Sequence, residues 1–594
     1  MTTTAPRPSR FRLGAIVAVL ALPAVVVVGL VLVLTGGGDD DGGSRVSVFP
    51  GPKTLAASRA TTITLRGEDV DVEGARVTGA KRKSYPGRWA RQPGGGGWTF
   101  TPAAPYEAGD RVTVETDDVK SGFLVAGDEE GIPQPPYDEG KPEDGKDVQH
   151  FVTRPDLRPP EVEVTTAAPA GLESPDNVGG YVFVAPKRGP TQEGPMILDR
   201  DGEVVWFHPV AGDQQAFDFR VQQYEGRDVL TWWQGAVALY RGFGTGRVLD
   251  SSYREIARVE MANGYEMDAH EFELTDRGTA LVMAYVPVRW DLSSLGGRED
   301  GIVEDCVIQE IDVETGALLF EWHALGSIPL GESYRPAPTK AGQVHDPYHF
   351  NSVQLTPDGD YLVSARHTSA VYKIDGSTGD IVWRLGGKRS DFKLGPGARF
   401  ELQHDARMLD DGTVSMFDNV TEDVKEKDAL SRGLVLRLDS RAKTADVVRE
   451  YTHAGVISGT QGSMETLGGS KAFVGWGGMR PEFTEYAAPG EIAWDAKFVP
   501  AGVESYRAYT MPWSGQPSRP PDVRLRGRLL RISWNGATDV ASWRLTPDGG
   551  RTETIGAERF ETSVRFPGRP RRVRVVGLSE SGDVLGEAVA VQGG

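Results

Sequence analysis

Five polar side chains each lie eight residues before a glycine that ends a turn. The pairs are Asp218 with Gly226, His270 with Gly278, Asn351 with Gly359, His404 with Gly412 and Gln461 with Gly469. In a fold of repeated hairpins an equal offset means an equal place in each repeat, so these side chains converge if the repeats close into a ring. Imidazole suits nucleophilic and acid–base chemistry near neutral pH. The spacing therefore predicts a reactive site on the axis of a β-propeller.

The hairpin from His345 to Tyr372 shows how such side chains can share a face. Its two strand-like segments flank Thr356–Gly359, a Thr-Pro-Asp-Gly sequence suited to a tight turn. A turn centred between Pro357 and Asp358 pairs residues whose numbers sum to 715, which places His349 opposite Arg366 and Asn351 opposite Ser364. An arginine fork matches two oxygens of a tetrahedral anion. This hairpin therefore predicts an anion site.

Three imidazoles also suit zinc or copper, so a metal centre is the main competing chemistry for His270, His349 and His404. Arg366 beside them favours an anion over a cation, and we expect no metal and no cofactor. In the same hairpin, His345 is expected at the rim of the site. His367 is expected to face away from Arg366, because adjacent residues of a strand point to opposite sides.

Composition excludes some classes of protein. The 594 residues carry a formal charge of −19, which argues against nucleic-acid binding because that function needs a basic surface. The 74 Gly and 39 Pro among short strand-like segments favour an all-β fold. Cys306 is the only cysteine, so no intramolecular disulfide can form, and its strand-like context predicts a buried apolar side chain rather than a catalytic thiol.

The N-terminal segment predicts a membrane anchor. Residues 13–34 are almost entirely apolar and long enough to span a bilayer, and Arg7, Arg10 and Arg12 precede them. The positive-inside rule then places residues 1–12 in the cytoplasm and the rest of the chain outside the cell. A cleaved signal peptide is the alternative, but no small-x-small cleavage site follows the apolar segment. We expect a single-pass protein of the cell membrane.

The remaining chain divides into all-β domains. Residues 45–127 predict a small Ig-like β-sandwich, 128–150 a linker, 151–512 a six-bladed propeller, and 517–594 a fibronectin type III-like sandwich. Outer hairpins of the blades are predicted at 198–207, 311–322, 374–384 and 438–451, with an opening strand at 180–184 and a closing strand at 491–498.

The central domain resembles the arylsulfotransferase family, bacterial enzymes that move a sulfuryl group between phenols without a nucleotide donor. The resemblance spans about 151–510 and rests on the order of D-A-H-E-F, H-F-N-S-V, S-A-R-H and Q-H-D-A-R, after R-P-D-L-R-P-P. It implies a six-bladed propeller, with aryl sulfates and phenols as substrates. The anchor, the C-terminal sandwich and the lack of a Cys pair are closer to an actinobacterial, membrane-anchored branch.

The resemblance also implies roles for individual residues. His404, in Q-H-D, would be the nucleophile that forms a transient sulfohistidine, while the sulfate group would be held by His270, His349, Asn351 and Arg366. We include His345 and Gln461 as further substrate-binding residues. Independently of the family, cationic and neutral donors in a site with little water suit the negative charge of a sulfuryl group in transfer. Packing in the core is the expected role for any single large aromatic residue of this domain, but five are also candidates for aromatic walls around the acceptor: Tyr348, Phe350, Trp232, Trp233 and Trp476.

Two other functions are compatible with this sequence. One is a non-catalytic cell-surface propeller, acting as a scaffold or anion-binding module between two adhesive sandwiches. The other is a quinoprotein-like oxidoreductase, suggested by the tryptophans that end the outer hairpins. Protein partners, oligomeric state and the natural donor and acceptor are not predicted by the sequence.

Overall fold

A computed structural model describes residues 46–593 apart from 68–69, 94–95, 129–131, 133–135, 137–146, 167–179, 190–191, 421–429 and 480. Strands dominate, and the helical segments among the described residues are three 3-10 turns, Ser293–Leu295, Leu330–Glu332 and Arg366–Thr368. The predicted all-β class is confirmed. The tail at 1–12 and the anchor predicted at 13–34 lie outside the described residues. No helix in the described part has the length and apolar character to cross a membrane.

The N-terminal strands form two sheets around one core. One sheet has the order β1-β2-β5-β4 and the other β3-β6-β7. Alternation in sequence produces this packing, since Val112 and Val114 of one strand are buried while their neighbours are not. The strands are β1 (Ser47–Phe49), β2 (Ile63–Arg66), β3 (Arg76–Gly79), β4 (Gly87–Arg91), β5 (Gly97–Pro102), β6 (Arg111–Glu115) and β7 (Lys120–Leu124).

Six sheets built mainly of antiparallel strand pairs follow, preceded by a single strand, β8 (Val162–Thr166). The first three contain β9 (Tyr181–Lys187), β10 (Met196–Leu198) and β11 (Val204–Phe207); then β12 (Gln215–Tyr224), β13 (Arg227–Ala238), β14 (Arg241–Leu249) and β15 (Glu255–Val259); then β16 (Phe272–Leu274), β17 (Thr279–Trp290), β18 (Gly301–Asp312), β19 (Leu318–His323) and β20 (Val344–His345). Cys306 is buried in β18, as expected.

The other three sheets repeat this layout. They contain β21 (Phe350–Leu355), β22 (Tyr361–Ala365), β23 (Ala370–Ile374) and β24 (Ile381–Gly386); then β25 (Lys393–Leu394), β26 (His404–Met408), β27 (Thr413–Asp418), β28 (Arg432–Asp439) and β29 (Thr444–Thr452); then β30 (Ser463–Thr466), β31 (Ala472–Gly475), β32 (Phe483–Ala488) and β33 (Glu491–Phe498). All four predicted outer hairpins are present, as the pairs β10–β11, β18–β19, β23–β24 and β28–β29.

Strands from both ends of this region join the first and last sheets. A further strand, β34 (Glu504–Met511), lies beside β9 in the first sheet, while β8 lies beside β33 in the last. The segment predicted as a closing strand, 491–498, is the fourth strand of the last sheet and pairs there with β8. The next strand, at 504–511, pairs with β9 in the first sheet.

Arg507, in β34, connects sheets far apart in sequence. Its guanidinium donates to Asp218 Oδ1 at 3.0 Å, to Glu271 Oε1 at 3.2 Å and to the Asn351 carbonyl at 2.6 Å. It also lies 3.7 Å from Asp405 Oδ1, and its side chain has no exposed surface. Asp218, Asn351 and Asp405 lie in β12, β21 and β26, and Glu271 directly precedes β16. One strand from each of four sheets therefore meets the others around this buried cation.

The C-terminal strands again form two sheets around a core. They are β35 (Asp522–Arg526), β36 (Leu529–Ser533) and β39 (Glu561–Arg565) in one sheet, and β37 (Ser542–Pro547), β38 (Glu553–Gly556), β40 (Arg572–Leu578) and β41 (Val584–Val591) in the other. Asn535 bonds both the N–H and the C=O of Phe207, each at 3.0 Å, which ties this unit to the first sheet. Arg45–Gly594 form one compact unit, and the predicted domain boundaries within it stay predictions.

Candidate active site

A cavity of about 740 Å³ lies where the first strands of the sheets converge. Six of the seven predicted site residues line it, namely His270, His345, His349, Arg366, His404 and Gln461. These residues come from the third to the sixth sheets and the loops before them. The sequence-based prediction that distant imidazoles meet an arginine at one place is therefore matched by the geometry.

His404 is held with one ring nitrogen fixed as a donor. Its Nδ1 lies 2.7 Å from Asn419 Oδ1, and Asn419 Nδ2 donates to the Gln461 carbonyl at 2.8 Å. Because that amide nitrogen faces a carbonyl, the amide oxygen must face the imidazole, so Nδ1 carries the proton. His404 Nε2 is then the lone-pair nitrogen, and it accepts the Gln461 backbone N–H at 3.2 Å.

Electrostatics keep this imidazole neutral. Burial, followed by the nearby positive charge of Arg366, lowers the pKa of His404 well below 6.5. A neutral imidazole with a free Nε2 lone pair is a nucleophile, whereas an imidazolium is not. His404 therefore has the tautomer and the charge state that nucleophilic attack from Nε2 requires.

Two further imidazoles donate to carboxylates. His270 Nδ1 lies 2.5 Å from Asp268 Oδ1, and His349 Nδ1 lies 2.6 Å from Asp346 Oδ2. The two rings are 5.1 Å apart between centroids. Burial lowers the pKa of His349 to about 3, so this ring is neutral near pH 7. Each carboxylate fixes its partner's tautomer and leaves Nε2 available for proton transfer.

Asp346 is shared between two histidines. His367 Nδ1 donates to the Asp346 backbone carbonyl at 2.8 Å. It also lies 3.3 Å from Asp346 Oδ2, the same oxygen that His349 Nδ1 contacts. Burial alone would raise the pKa of Asp346, but the hydrogen bonds from His349 and His367 hold this pKa below its ordinary value. Asp346 is therefore an anion that orients two rings of the cavity.

Arg366 is positioned by hydrogen bonds at both ends of its guanidinium. Nη1 donates to His367 Nε2 and Nη2 donates to the Gly459 carbonyl, both at 2.8 Å. Its backbone N–H donates to the His349 carbonyl at 3.0 Å, so the predicted pairing of His349 with Arg366 is confirmed. The result is a preorganised cation among neutral imidazoles, which suits a bound anion.

The prediction for His367 is wrong. It faces Arg366 and lines the cavity, because β22 ends at Ala365 and residues 366–368 form a 3-10 turn in which strand alternation no longer applies. His345, in contrast, lines the cavity as expected. It is only 2% exposed, and its Nε2 has no hydrogen-bond partner among the described residues.

The predictions for Asn351 are also wrong. It has no exposed surface, is not part of the cavity lining, and donates through Nδ2 to the Gln403 carbonyl at 2.8 Å. The cause is a β-bulge: Phe350 pairs with Ala365 but Ser352, not Asn351, pairs with Ser364. Asn351 therefore supports the strands beneath the site rather than binding substrate.

Of the remaining equal-offset residues, Gln461 and Asp218 behave differently. Gln461 has φ +64° and brings its backbone N–H to His404, so it contributes main-chain atoms at the site. Asp218 follows the same offset but bonds Arg507 in the buried charge cluster. Strands β12 and β26 contain a bulge, as β21 does. Equal spacing in the sequence therefore does not guarantee an equal position of the side chain at the site.

The aromatic residues at the cavity are not those predicted. Trp232, Trp233, Tyr348, Phe350 and Trp476 are at most 2% exposed and absent from its lining. The cavity is lined instead by Phe217, Tyr240 and Tyr506. Tyr506 packs between two of the catalytic candidates, 5.5 Å from the His270 ring and 6.4 Å from the His404 ring.

A metal-ligand geometry exists for one cluster within this site. Asp346, His349 and His367 each offer a ligand atom, all within 4.8 Å of one another. The Nδ1 atoms concerned already donate to Asp346, and the guanidinium of Arg366 contacts His367. The alternative set of His270, His349 and His404 has every Nδ1 engaged as a donor. A neighbouring fixed cation disfavours metal binding here.

Asp268, Asp346 and Asn419 were missed by sequence reasoning. Asp268 and Asp346 are visible in D-A-H and H-D-P-Y-H as acids two and three residues before a histidine. Asn419 has a signal in hairpin register: His404 pairs with Phe417, so Asn419 lies opposite Leu402, two residues from His404.

Comparison with known proteins finds a matching family. Residues 220–499 match the model of the arylsulfotransferase (ASST) family. The match covers His270, His349, Arg366, His404 and Asn419, and it supports an arylsulfotransferase-type function in general terms. No curated protein shows significant similarity to the chain.

Several solved structures are similar at low identity. A protein of unknown function from Bacteroides caccae is 15% identical, with a TM-score of 0.34 over 56% of this chain and 98% of that one. The periplasmic gluconolactonase of Pseudomonas aeruginosa is 13% identical, with a TM-score of 0.31 over 69% and 94%. The extracellular domain of a putative one component system from B. thetaiotaomicron is 9% identical, with a TM-score of 0.30 over 94% and 87%.

Proposed function

We propose that this protein is an aryl-sulfate sulfotransferase that moves a sulfuryl group from a phenolic sulfate ester to a phenol without a nucleotide donor. His404 is the nucleophile and becomes a transient sulfohistidine. The observation that carries the proposal is the fixed neutral tautomer of His404, with Nε2 as its lone-pair nitrogen in a cavity that also contains Arg366. The family match over residues 220–499 supports it.

The proposed architecture is a six-bladed propeller whose axis contains the cavity. Contacts run from sheet to sheet, between β12 and β16, β17 and β21, β21 and β26, β26 and β30, and β30 and β34. The pairing of β34 with β9 and of β8 with β33 supports closure of the ring from both chain ends. The flanking two-sheet units would be Ig-like and fibronectin type III-like sandwiches.

The first chemical step makes an N–S bond and breaks an S–O bond. His404 Nε2 attacks sulfur, and the phenolate oxygen leaves with the electron pair of the S–O bond. Arg366 stabilises the negative charge on the sulfuryl oxygens. The Gln461 N–H, which bonds Nε2 in the free protein, is positioned to donate to a sulfuryl oxygen once sulfur takes the lone pair.

Removal of the proton from the incoming phenol is assigned to the carboxylate-linked imidazoles. His270 and His349 each donate Nδ1–H to an aspartate, so Nε2 holds the lone pair that takes this proton. The leaving phenolate departs as the anion and takes its proton from solvent. The aspartate stabilises the imidazolium that forms during this exchange. Either ring can serve, and the variants His270→Gln and His349→Gln separate their contributions.

The aromatic group would pack against the apolar part of the cavity. The apolar part of the lining comes from Phe217, Val237, Tyr240, Pro336 and Pro338. His345 and Gln461 complete the substrate-binding set in this proposal. A cavity of about 740 Å³ accommodates more than a single phenyl ring, so large aryl sulfates and phenols fit the space.

The test is transfer and covalent labelling by the purified protein. Incubation with 4-nitrophenyl sulfate and phenol should release nitrophenol, and intact-protein mass spectrometry without acceptor should show an adduct of one sulfuryl group. His404→Ala should abolish both, while His453→Ala, a histidine absent from the cavity lining, should abolish neither. Absence of turnover and adduct in the wild type, with sulfate still bound, would favour the anion-binding scaffold instead.

We further propose that residues 13–34 anchor the protein in the cell membrane with the enzyme outside, as in an actinobacterial, membrane-anchored branch of the family. The apolar segment and the arginines before it support this. Membrane fractionation and protease protection of intact cells test it. Recovery of the full-length chain from the soluble fraction would contradict the anchor.

A further inference from the structure

Each of the three imidazoles assigned to nucleophilic attack or proton transfer donates from Nδ1, but only one of them donates to an uncharged acceptor. The pairs are His270 with Asp268 at 2.5 Å, His349 with Asp346 at 2.6 Å and His404 with Asn419 at 2.7 Å. The nucleophile thus differs from its neighbours in the charge of its partner. A carboxylate stabilises a positive ring, whereas a neutral amide does so only weakly.

The Asn419 amide is held in one orientation. Its Nδ2 donates to the Gln461 carbonyl at 2.8 Å, its backbone carbonyl accepts Ser431 Oγ at 2.6 Å, and it has no exposed surface. A flip of the amide would place two donors against the His404 Nδ1–H. The site therefore presents an oxygen to the imidazole permanently, without a negative charge.

We propose that Asn419 is a positioning residue that keeps the sulfuryl group on His404 labile. This inference rests on the proposed sulfuryl transfer and extends it to the partner of the nucleophile. When Nε2 bonds sulfur, the ring keeps its Nδ1 proton and gains positive character. A neutral acceptor leaves that positive ring poorly stabilised, so imidazole is a good leaving group for the second transfer.

The proton and electron balance closes with solvent water as the only further participant. In the first step the N–S bond forms, the S–O bond breaks with its electron pair on the phenolate, and the phenolate takes a proton from solvent as it leaves. In the second, the phenol oxygen bonds sulfur and gives its proton to Nε2 of His270 or His349, which returns it to solvent, and the N–S electrons return to His404 Nε2. The Nδ1–H bond to Asn419 is kept throughout, so the neutral tautomer is regenerated.

Asn419→Asp replaces the neutral partner with an anionic one of the same shape. The variant should raise the pKa of His404 and lengthen the lifetime of the sulfuryl adduct, by about tenfold for each unit of pKa gained. Adduct decay is measured by quenching after acceptor is added, followed by intact-protein mass spectrometry. The other charged or titratable groups facing His404 are Arg366, His270, His349 and Tyr506.

Two controls separate this role from general damage to the site. Asp346→Asn alters the partner of His349 and should slow proton removal from the phenol while leaving the pKa of His404 at its wild-type value. Asn419→Ser keeps a neutral acceptor, so its adduct should decay within about threefold of the wild-type rate even if less of it forms. Histidine NMR of the ligand-free proteins reports the pKa of His404 independently of turnover.

The outcomes distinguish this inference from the proposed function. If the wild type forms no adduct, sulfuryl transfer fails and the inference falls with it. If the wild type forms one but the Asn419→Asp adduct decays at the wild-type rate, or Asn419→Ser prolongs it, only the role of Asn419 is overturned. Should the aspartate variant not fold, the serine variant and the NMR titration of the wild type decide: a His404 pKa at or above 6.5 contradicts the proposal.

Discussion

Replacing Arg507 with methionine tests how the sheets are held together around the site. Its fully buried guanidinium donates to two carboxylates and one carbonyl on three different sheets. Removing one partner of a buried charge network typically costs about 3–5 kcal/mol, because the remaining charges stay buried and uncompensated. When about 360 residues unfold together, the unfolding entropy is about 0.76 kcal/mol/K. Dividing the lost free energy by this entropy gives a fall in Tm of about 4–7 °C.

The measurement is thermal unfolding of the variant followed by circular dichroism and calorimetry. The matched control is Arg258→Met, which removes a half-exposed arginine bonded to Glu255 at 2.8 Å. An exposed ion pair of this kind contributes under about 1 kcal/mol, so the control should lose at most about 1 °C. Equal losses in the two variants would refute the view that Arg507 neutralises the cluster.

Three other predictions concern charge and the site. Arg366→Gln should move the acid limb of kcat/KM to higher pH, because burial and then Arg366 keep the His404 pKa low; an unmoved limb would show that His404 does not titrate there. Glu304→Gln should stabilise the protein more at pH 8 than at pH 5 in urea unfolding. Burial, with repulsion from Asp346, raises the pKa of Glu304 to about 8 in the folded protein. The wild type therefore loses stability as the pH rises from 5 to 8, because this carboxyl group ionises in the unfolded chain before it does in the folded one. Asn351→Ala should cost about 1–3 kcal/mol of stability while changing KM for aryl sulfates far less than Arg366→Gln; the reverse order would restore Asn351 to substrate binding.

The register of individual hairpins, counted from their turn residues, predicted much of the site. Turn residues fix the register of a short hairpin, so the position of His349 opposite Arg366 followed from Thr356–Gly359 alone. Repetition of the same offset then placed His270 and His404 at the same cavity. The outer hairpins were equally local, since each consists of a polar turn between two strands that are adjacent in sequence.

What could not be predicted is non-local or depends on bulges. A bulge adds one residue to one strand, which moved Asn351 out of its expected place without any signal in the alternation of apolar residues. His349 and Asp405 both have φ of +53°, a conformation that non-glycine side chains seldom adopt and that pattern analysis does not anticipate. Arg507 lies 289 residues from Asp218, and no local pattern predicts such a contact.

The position of Arg507 so late in the chain has a consequence for how the molecule is made. During synthesis the earlier hairpins can form as they emerge, but Asp218, Glu271 and Asp405 wait for a counter-charge that arrives only with β34. The same strand supplies the missing neighbour of β9. Completion of the first sheet and charge neutralisation thus become a single late event, and a nascent polypeptide that ends before residue 504 should form neither the complete sheet nor the neutralised cluster.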